Sequence, residues 1–434
     1  MADDVVITGM GIVSPIGCGE AAFWDALRQG RSGAGPVEGL DTSQLTRKIA
    51  CQVREPIDVG HPMGRASQLA VAASREAVRD AGVVPAALRE QRMAVIIGTT
   101  MGETDFIEER LSAPDSEWLS PDHMKSIVSG RPGCIARNVQ ADLMSSLRLS
   151  ESAGDETGAR GSAQAKACGS GVACGSGMSR GSGKACGPAI DLYGACAAGN
   201  MAIAKARRQL LEGRCDMALA GGSDGFSRLA FIGFMRLRAM AAEVCRPFDE
   251  KRDGLLVGEG AAMFVLERES SAKARGAPIR ARVKGASITC EDYHPTRPHP
   301  DGDGLTRAIQ EALRDAGMSP SDVDYVCAHG TGTPHNDAIE VKVMENCFPE
   351  GVSFSSIKGL TGHTMGAAAA MEAACCVLSL QHQELIPTWH LDNVLQPCKL
   401  DAIQGAVRPA RVRCAVNNSA GFGGYNASII LAIA

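Results

Sequence analysis

Three residues in this 434-residue chain have the chemistry and the setting for nucleophilic and acid-base work. Cys196 stands in Ile190-Asp191-Leu192-Tyr193-Gly194-Ala195-Cys196-Ala197-Ala198-Gly199-Asn200, which runs from an extended segment through small residues into a helical stretch from Met201 to Glu212. The spacing puts the cysteine at a strand-to-helix turn. Free N–H groups at a helix N-terminus stabilise a thiolate and lower its pKa, which is what a cysteine nucleophile needs. Its small neighbours leave room for a substrate. One cysteine among sixteen would ordinarily be a buried apolar residue in a Gly/Ala turn, and two histidines change that reading. His329 follows a strand-like run in Ala328-His329-Gly330-Thr331-Gly332-Thr333-Pro334-His335-Asn336-Asp337, a tight loop able to aim an imidazole from a sheet end into a cleft. His363, in Ser355-Ser356-Ile357-Lys358-Gly359-Leu360-Thr361-Gly362-His363-Thr364-Met365-Gly366, precedes an apolar helix whose positive end favours neutral imidazole.

The elements that must carry these residues alternate between Val/Ile-rich strands and Ala/Leu/Arg-rich helices, the pattern of βαβ units in a largely parallel sheet. Strand Val5 to Val13, helix Ala66 to Asp80 and strand Met93 to Thr100 form one series. Ile279 to Thr289, Leu305 to Asp315 and Val323 to Ala328 form a second in the same order. Arg79-Asp80-Ala81-Gly82 recurs as Arg314-Asp315-Ala316-Gly317. Glycine is a common helix terminator, so the shared tetrapeptide alone proves little; with the shared element order it predicts an internal duplication. The division expected is 1–276, carrying the cysteine, and 277–434, carrying both histidines.

The bulk properties bound the answer. A 45% hydrophobic and 21% charged composition is that of a globular soluble protein, and a net charge of -5 gives no reason to expect nucleic acid or an anionic membrane as partner. The scattered cysteines in so long a chain read as reduced thiols. Met1-Ala2-Asp3-Asp4 leads straight into a strand with no signal-like core, so a cytoplasmic location is expected. The apolar run from Gly366 to Leu380 contains Glu372 and is too short to span a bilayer, so it reads as a buried helix. Residues 150–187 break the pattern with Gly, Ser and Ala and a repeated Lys-Ala-Cys-Gly, and read as an insertion. Cys168, Cys174 and Cys186 within it have neither knuckle spacing nor a nearby histidine, so no metal is expected.

Together the three motifs resemble the β-ketoacyl-acyl carrier protein synthases, above all the elongating enzymes with a Cys-His-His centre, or their type II polyketide and polyene counterparts. The likeness extends over nearly the whole chain: Val6-Ile7-Thr8-Gly9-Met10-Gly11, Arg246-Pro247-Phe248-Asp249, Arg252-Asp253-Gly254, Gly258-Glu259-Gly260 and Gly421-Phe422-Gly423-Gly424 occur in the family's order. The resemblance implies an α/β, thiolase-like, five-layered αβαβα sandwich of two duplicated halves, usually dimeric. It implies that Cys196 carries the acyl group and that His329 and His363 bind the thioester oxygen of a malonyl extender as carbon dioxide leaves. Lys358 and Glu372 match a supporting pair, the backbone N–H groups of Cys196 and Ala420 an oxyanion hole, and Thr331 and Thr333 the hydroxyls that hold phosphopantetheine. No metal or organic cofactor is required. The implied partners are acyl carrier protein and a second subunit, identical or ketosynthase-like.

Two departures stand out. Ala420 occupies a position where the family commonly has a gating Phe, and Tyr425 one where it has Thr; the insertion at 150–187 is the other difference. Within the same fold, an acyltransferase that does not condense and a non-catalytic chain-length partner are the alternatives, the latter typically lacking the cysteine. A cysteine hydrolase would leave the second histidine without a task. Lys205, Arg207 and Arg208, on the helix after Cys196, are candidates for steering an acidic carrier protein.

Overall fold

A computed structural model describes residues 3–60, 62–84, 91–104, 108, 135–152 and 187–434. The expected insertion lies almost wholly outside them, with Cys168, Cys174 and Cys186. Among the described residues every cysteine is free, and no helix is long and apolar enough to cross a membrane.

Two sets of five strands repeat one topology. Across the first half the spatial order is Ala189–Tyr193, Met93–Thr99, Met217–Asp224, Gly260–Arg268, Val5–Ser14. Across the second it is Ser353–Ser355, Tyr325–Cys327, Cys414–Gly421, Tyr425–Ala432, Ala281–Cys290. Numbered by appearance within each half, both read 3-2-4-5-1, with parallel pairing among strands 3, 2 and 4 and antiparallel pairing of strand 5 to its two neighbours. The two first strands meet antiparallel, Val5–Ile7 against Ala281–Val283, and join the halves into one ladder.

The layers follow from which helix faces are apolar. Helices Ala198–Leu211 and Ala368–His382 pack against each other and against strands of both halves, so they form the middle layer. Every residue from Ala368 to Leu380 is buried, Glu372 included, which is why the sequence shows an apolar run there instead of a stripe. Arg65–Asp80 with Ile135–Ser152 covers one outer face, and Asp303–Ala316 with Pro334–Cys347 the other. This is the αβαβα sandwich.

The repeated Arg-Asp-Ala-Gly has a structural job in each half. Asp80 Oδ2 accepts the Met10 N–H at 2.8 Å, and Asp315 Oδ2 accepts the Ala286 N–H at 3.0 Å, so each carboxylate ties its helix end to its half's first strand. The preceding glycine permits the approach. A Cβ on Gly9 would sit 2.2 Å from Ala77 O, and one on Gly285 2.3 Å from Ala312 O. Backbone against backbone has no flexible group to yield, so Gly9→Ala and Gly285→Ala are each expected to lose about 1–3 kcal/mol or more. Chemical denaturation midpoints read this, and two unchanged midpoints would refute the shared packing role.

Candidate active site

Cys196 lies in a 3-10 turn, Ala195–Ala197, between strand Ala189–Tyr193 and helix Ala198–Leu211. Ala195 takes φ 48, a left-handed conformation that costs a non-glycine residue on the order of 1–3 kcal/mol and recurs at functional turns. Helix Ala368–His382 has the equivalent approach: Met365 takes φ 54 at the start of the turn Met365–Ala367. The two turns are counterparts in the two halves, with Gly366 where the first half has Cys196.

His329 stands two residues past strand Tyr325–Cys327, a shorter strand than the sequence suggests. Its loop is held by carboxylates from the helix Pro334–Cys347. Glu340 accepts the N–H groups of His329 and Gly330, both at 2.7 Å, and Asp337 accepts those of Thr331 at 3.0 Å and Gly332 at 3.1 Å. Burial pushes Glu340 up to about 7, against the pull of the two N–H groups. His363 is fixed through its backbone, donating to Leu256 O at 2.7 Å and accepting from Gly258 N at 2.9 Å.

The three side chains converge. One donor atom from each of Cys196, His329 and His363 lies within 4.8 Å of the others, all three residues buried, and the imidazole rings meet edge to face with centroids 5.4 Å apart. What binds the far side of each ring decides its tautomer. The Met365 N–H donates to His363 Nδ1 at 3.2 Å. Lys358 Nζ lies 3.2 Å from His329 Nδ1, and an ammonium has only N–H groups to offer. Both Nδ1 atoms therefore accept, and in each neutral ring the proton sits on Nε2. Burial, reinforced by the Lys358 charge and for His329 by its neighbour His363, holds both rings well below the usual imidazole range. The result is a pair of neutral N–H donors on buried side chains, suited to stabilising an oxyanion.

Lys358 also donates to His329 O at 2.5 Å and is ion-paired with Glu372, both buried. Burial raises Glu372 well above the usual carboxyl range. The thiol departs from expectation. Burial pushes Cys196 up to about 12, outweighing the nearby Lys358 charge and the Phe422 N–H that donates toward the sulfur. Burial thus favours the neutral thiol at Cys196, because desolvation of the anion outweighs the helix terminus.

The three residues open on a cavity of about 540 Å³. Thr331 and Thr333 line it, their hydroxyls 2.9 Å apart, as does Ala420. The strand end beyond Ala420 abuts the nucleophile turn, a Cβ on Gly421 falling 3.0 Å from Cys196 N. Lys358 and Glu372 stand behind His329, as supports and not as wall.

Sequence reasoning missed several residues. Thr296, Arg238 and Arg297 line the cavity on loops without periodicity. Asp337 and Glu340 carried a signal, two acids three apart just after the histidine loop. The suggested docking residues Lys205, Arg207 and Arg208 do not line the cavity; they lie nine to twelve residues along the helix from Cys196, roughly 14–18 Å at 1.5 Å per residue. Arg207 is committed to Asp315 and the Val283 and Lys284 carbonyls, and Arg208 to Glu212.

Comparison with known proteins agrees with this geometry. Residues 2–142 and 149–272 match the N-terminal domain of beta-ketoacyl synthase, and residues 280–392 its C-terminal domain. The 3-oxoacyl-[acyl-carrier-protein] synthase 2 proteins of Synechocystis sp. and Coxiella burnetii are each 32% identical, over 98% of this chain and 97% and 98% of theirs. Among solved structures, the ishigamide ketosynthase/chain length factor superposes with a TM-score of 0.85 at 34% identity, covering all of both chains. A type II PKS acyl-carrier protein in complex with its ketosynthase bound to the hexaketide gives 0.83 at 27%, again over all of both chains.

Proposed function

We infer the reaction from membership: the chain belongs to the β-ketoacyl synthase family, and its Cys196-His329-His363 centre condenses an acyl thioester with malonyl-acyl carrier protein as carbon dioxide leaves. The observation that carries this reading is the pair of Nε2–H donors facing one cavity beside a thiol. In the first step Cys196 Sγ attacks the acyl thioester, the carrier's sulfur leaves, and the thiol proton ends on that sulfur. Malonyl-carrier then enters. Its carboxylate departs as carbon dioxide, the bonding pair becomes an enolate, and both imidazoles hold the enolate oxygen. The enolate carbon attacks the acyl carbonyl, whose developing charge meets the N–H groups of Cys196 and Ala420. The C–S bond breaks, the β-ketoacyl carrier leaves, and the sulfur regains a proton from solvent water. Decarboxylation supplies the electron pair and fixed dipoles supply the charge stabilisation, so the chemistry requires no metal or organic cofactor.

Thr331 and Thr333, with Thr296, hold the phosphopantetheine arm, and Arg238 and Arg297 face the acidic carrier that brings it. The two functional halves are 1–276 and 277–434. The active species is a homodimer or a heterodimer with a ketosynthase-like subunit. A cytoplasmic, reducing location keeps the nucleophile free. Fatty-acid elongation and type II polyketide extension share this chemistry, and the relatives span both.

Incubation with an acyl-carrier and malonyl-carrier, read by intact mass, tests the reading. Release of carbon dioxide with a product longer by two carbons supports condensation; acyl movement without lengthening would assign a simple acyltransferase. Ala420 makes a specific statement about substrate. Where a bulky gate would stand beside Cys196 there is one methyl, so Ala420→Phe is expected to slow acylation by long or branched chains roughly tenfold or more, leaving acetyl transfer within about twofold. Equal slowing of both would show that the position does not select.

A further inference from the structure

We propose that Asp224, outside the cavity wall and untouched by substrate, is a positioning residue that sets the tautomer and aim of His363. This extends the reading above and rests on it for the role of His363. Asp224 ends the strand Met217–Asp224 and is fully buried. Four donors converge on its carboxylate: Thr99 Oγ1 at 2.6 Å, Thr100 N at 2.8 Å, Met101 N at 2.9 Å, and Gly366 N at 2.6 Å. Three come from its own half. The fourth comes from the other half, three residues beyond His363.

That fourth bond controls a short mechanical chain. Asp224 grips the Gly366 N–H, which fixes the peptide between Met365 and Gly366. Met365 is thereby held at φ 54, a conformation a methionine keeps only when its surroundings over-determine it. Held there, it presents its N–H to His363 Nδ1 at 3.2 Å. With Nδ1 occupied by a donor, the ring proton is confined to Nε2, the atom that must meet the enolate oxygen. Remove the grip, and Met365 relaxes toward an unstrained φ, its N–H turns away, and the ring becomes free to exchange tautomers.

The duplication supplies independent support. In the first half the strained residue is Ala195, the apex is Cys196 and a helix starts at Ala198; in the second they are Met365, Gly366 and Ala368. Each turn offers a backbone N–H at the mouth of a helix, where an anion is favoured. One half leaves that place to the reaction. The other fills it with the Asp224 carboxylate, and Gly366 is what makes room: a Cβ there would lie 2.8 Å from Asp224 Oδ2 and 2.6 Å from Thr99 Cα. The carboxylate thus converts the second turn from a nucleophile mount into an anchor for the histidine loop.

Asp224→Asn keeps the shape but puts an amide N–H where donors already point. The test compares it with wild type for malonyl-carrier decarboxylation, for Cys196 acylation by an acyl-carrier, and for the His363 ring nitrogens by NMR on 15N-histidine protein. We expect decarboxylation kcat to fall on the order of 10- to 100-fold, as for a displaced catalytic group. KM for malonyl-carrier should stay within about twofold, the acylation rate should not fall, since the Asp224 charge opposes the Cys196 thiolate, and the His363 signals should leave the single Nε2–H form. Thr99→Ala, which removes one donor to Asp224, and with it the Oγ1 that accepts from Gly102 N at 2.9 Å, adds no atom that could clash and keeps the test open if the first variant folds poorly; it should shift the same readouts less. Acylation and decarboxylation falling in parallel, or an unchanged His363 tautomer in a folded variant, would overturn the proposal. Wild-type protein with no decarboxylation at all would instead refute the assigned reaction, while the NMR comparison would still report on Asp224.

Discussion

Cys196→Ala is expected to abolish chain extension, by on the order of 10⁴-fold or more, while leaving decarboxylation of malonyl-carrier measurable. The two outcomes separate because the site divides its labour in space. Sulfur carries the acyl group; the imidazoles face the oxygen of the extender and have their tautomers set from behind, by Lys358 and by the Met365 N–H. Neither fixing bond passes through the cysteine. Losing the thiol therefore removes the electrophile that the enolate would attack, and the enolate takes a proton instead, giving acetyl-carrier. Carbon dioxide release and product mass, followed together, check this. If the alanine variant releases none while remaining folded, the thiol is part of the decarboxylation step and the division of labour is wrong.

How much of this was legible in the sequence differs from residue to residue. The duplication was legible because a short local motif, Arg-Asp-Ala-Gly, does the same local job twice, and both aspartates bond the first strand of their half. The three reactive residues were legible because each sits in a small-residue turn beside a strong strand or helix pattern. Asp224 was not, since its meaning is a bond across 142 residues to Gly366, and an Asp after Gly-Gly-Ser reads as an ordinary strand end. The thiol was misjudged for a related reason. Sequence reveals the helix start that favours an anion but not the depth of burial that opposes it. Carrier docking was placed on Lys205, Arg207 and Arg208, none of which lines the cavity, while Arg238 and Arg297 reach it from loops with no period to betray them.

His329→Ala and His363→Ala should each lower malonyl-carrier decarboxylation by about 10²- to 10³-fold, the loss seen when one donor of an oxyanion hole is removed. The double variant should lose less than the product of the two, because both donors act on one oxygen. Acylation of Cys196 should survive in each, so an acyl-enzyme mass adduct should still form. The pH profile carries a second, sharper expectation. Both rings are held well below the ordinary imidazole range by burial and by Lys358, so no loss of decarboxylation should track imidazole protonation at 6.5 or above. A limb near 7 has another owner. Glu340 is pushed up to about 7, and its ionised form accepts the N–H groups of both His329 and Gly330. That support is complete above 7 and weakens as the pH falls through it. Glu340→Gln cannot titrate, so it should lower the rate throughout and flatten this limb. A limb near 7 that persists in the glutamine variant would belong to another buried group, a raised carboxyl such as Asp224 or Glu372 or an imidazole, and Glu340 would not be its owner.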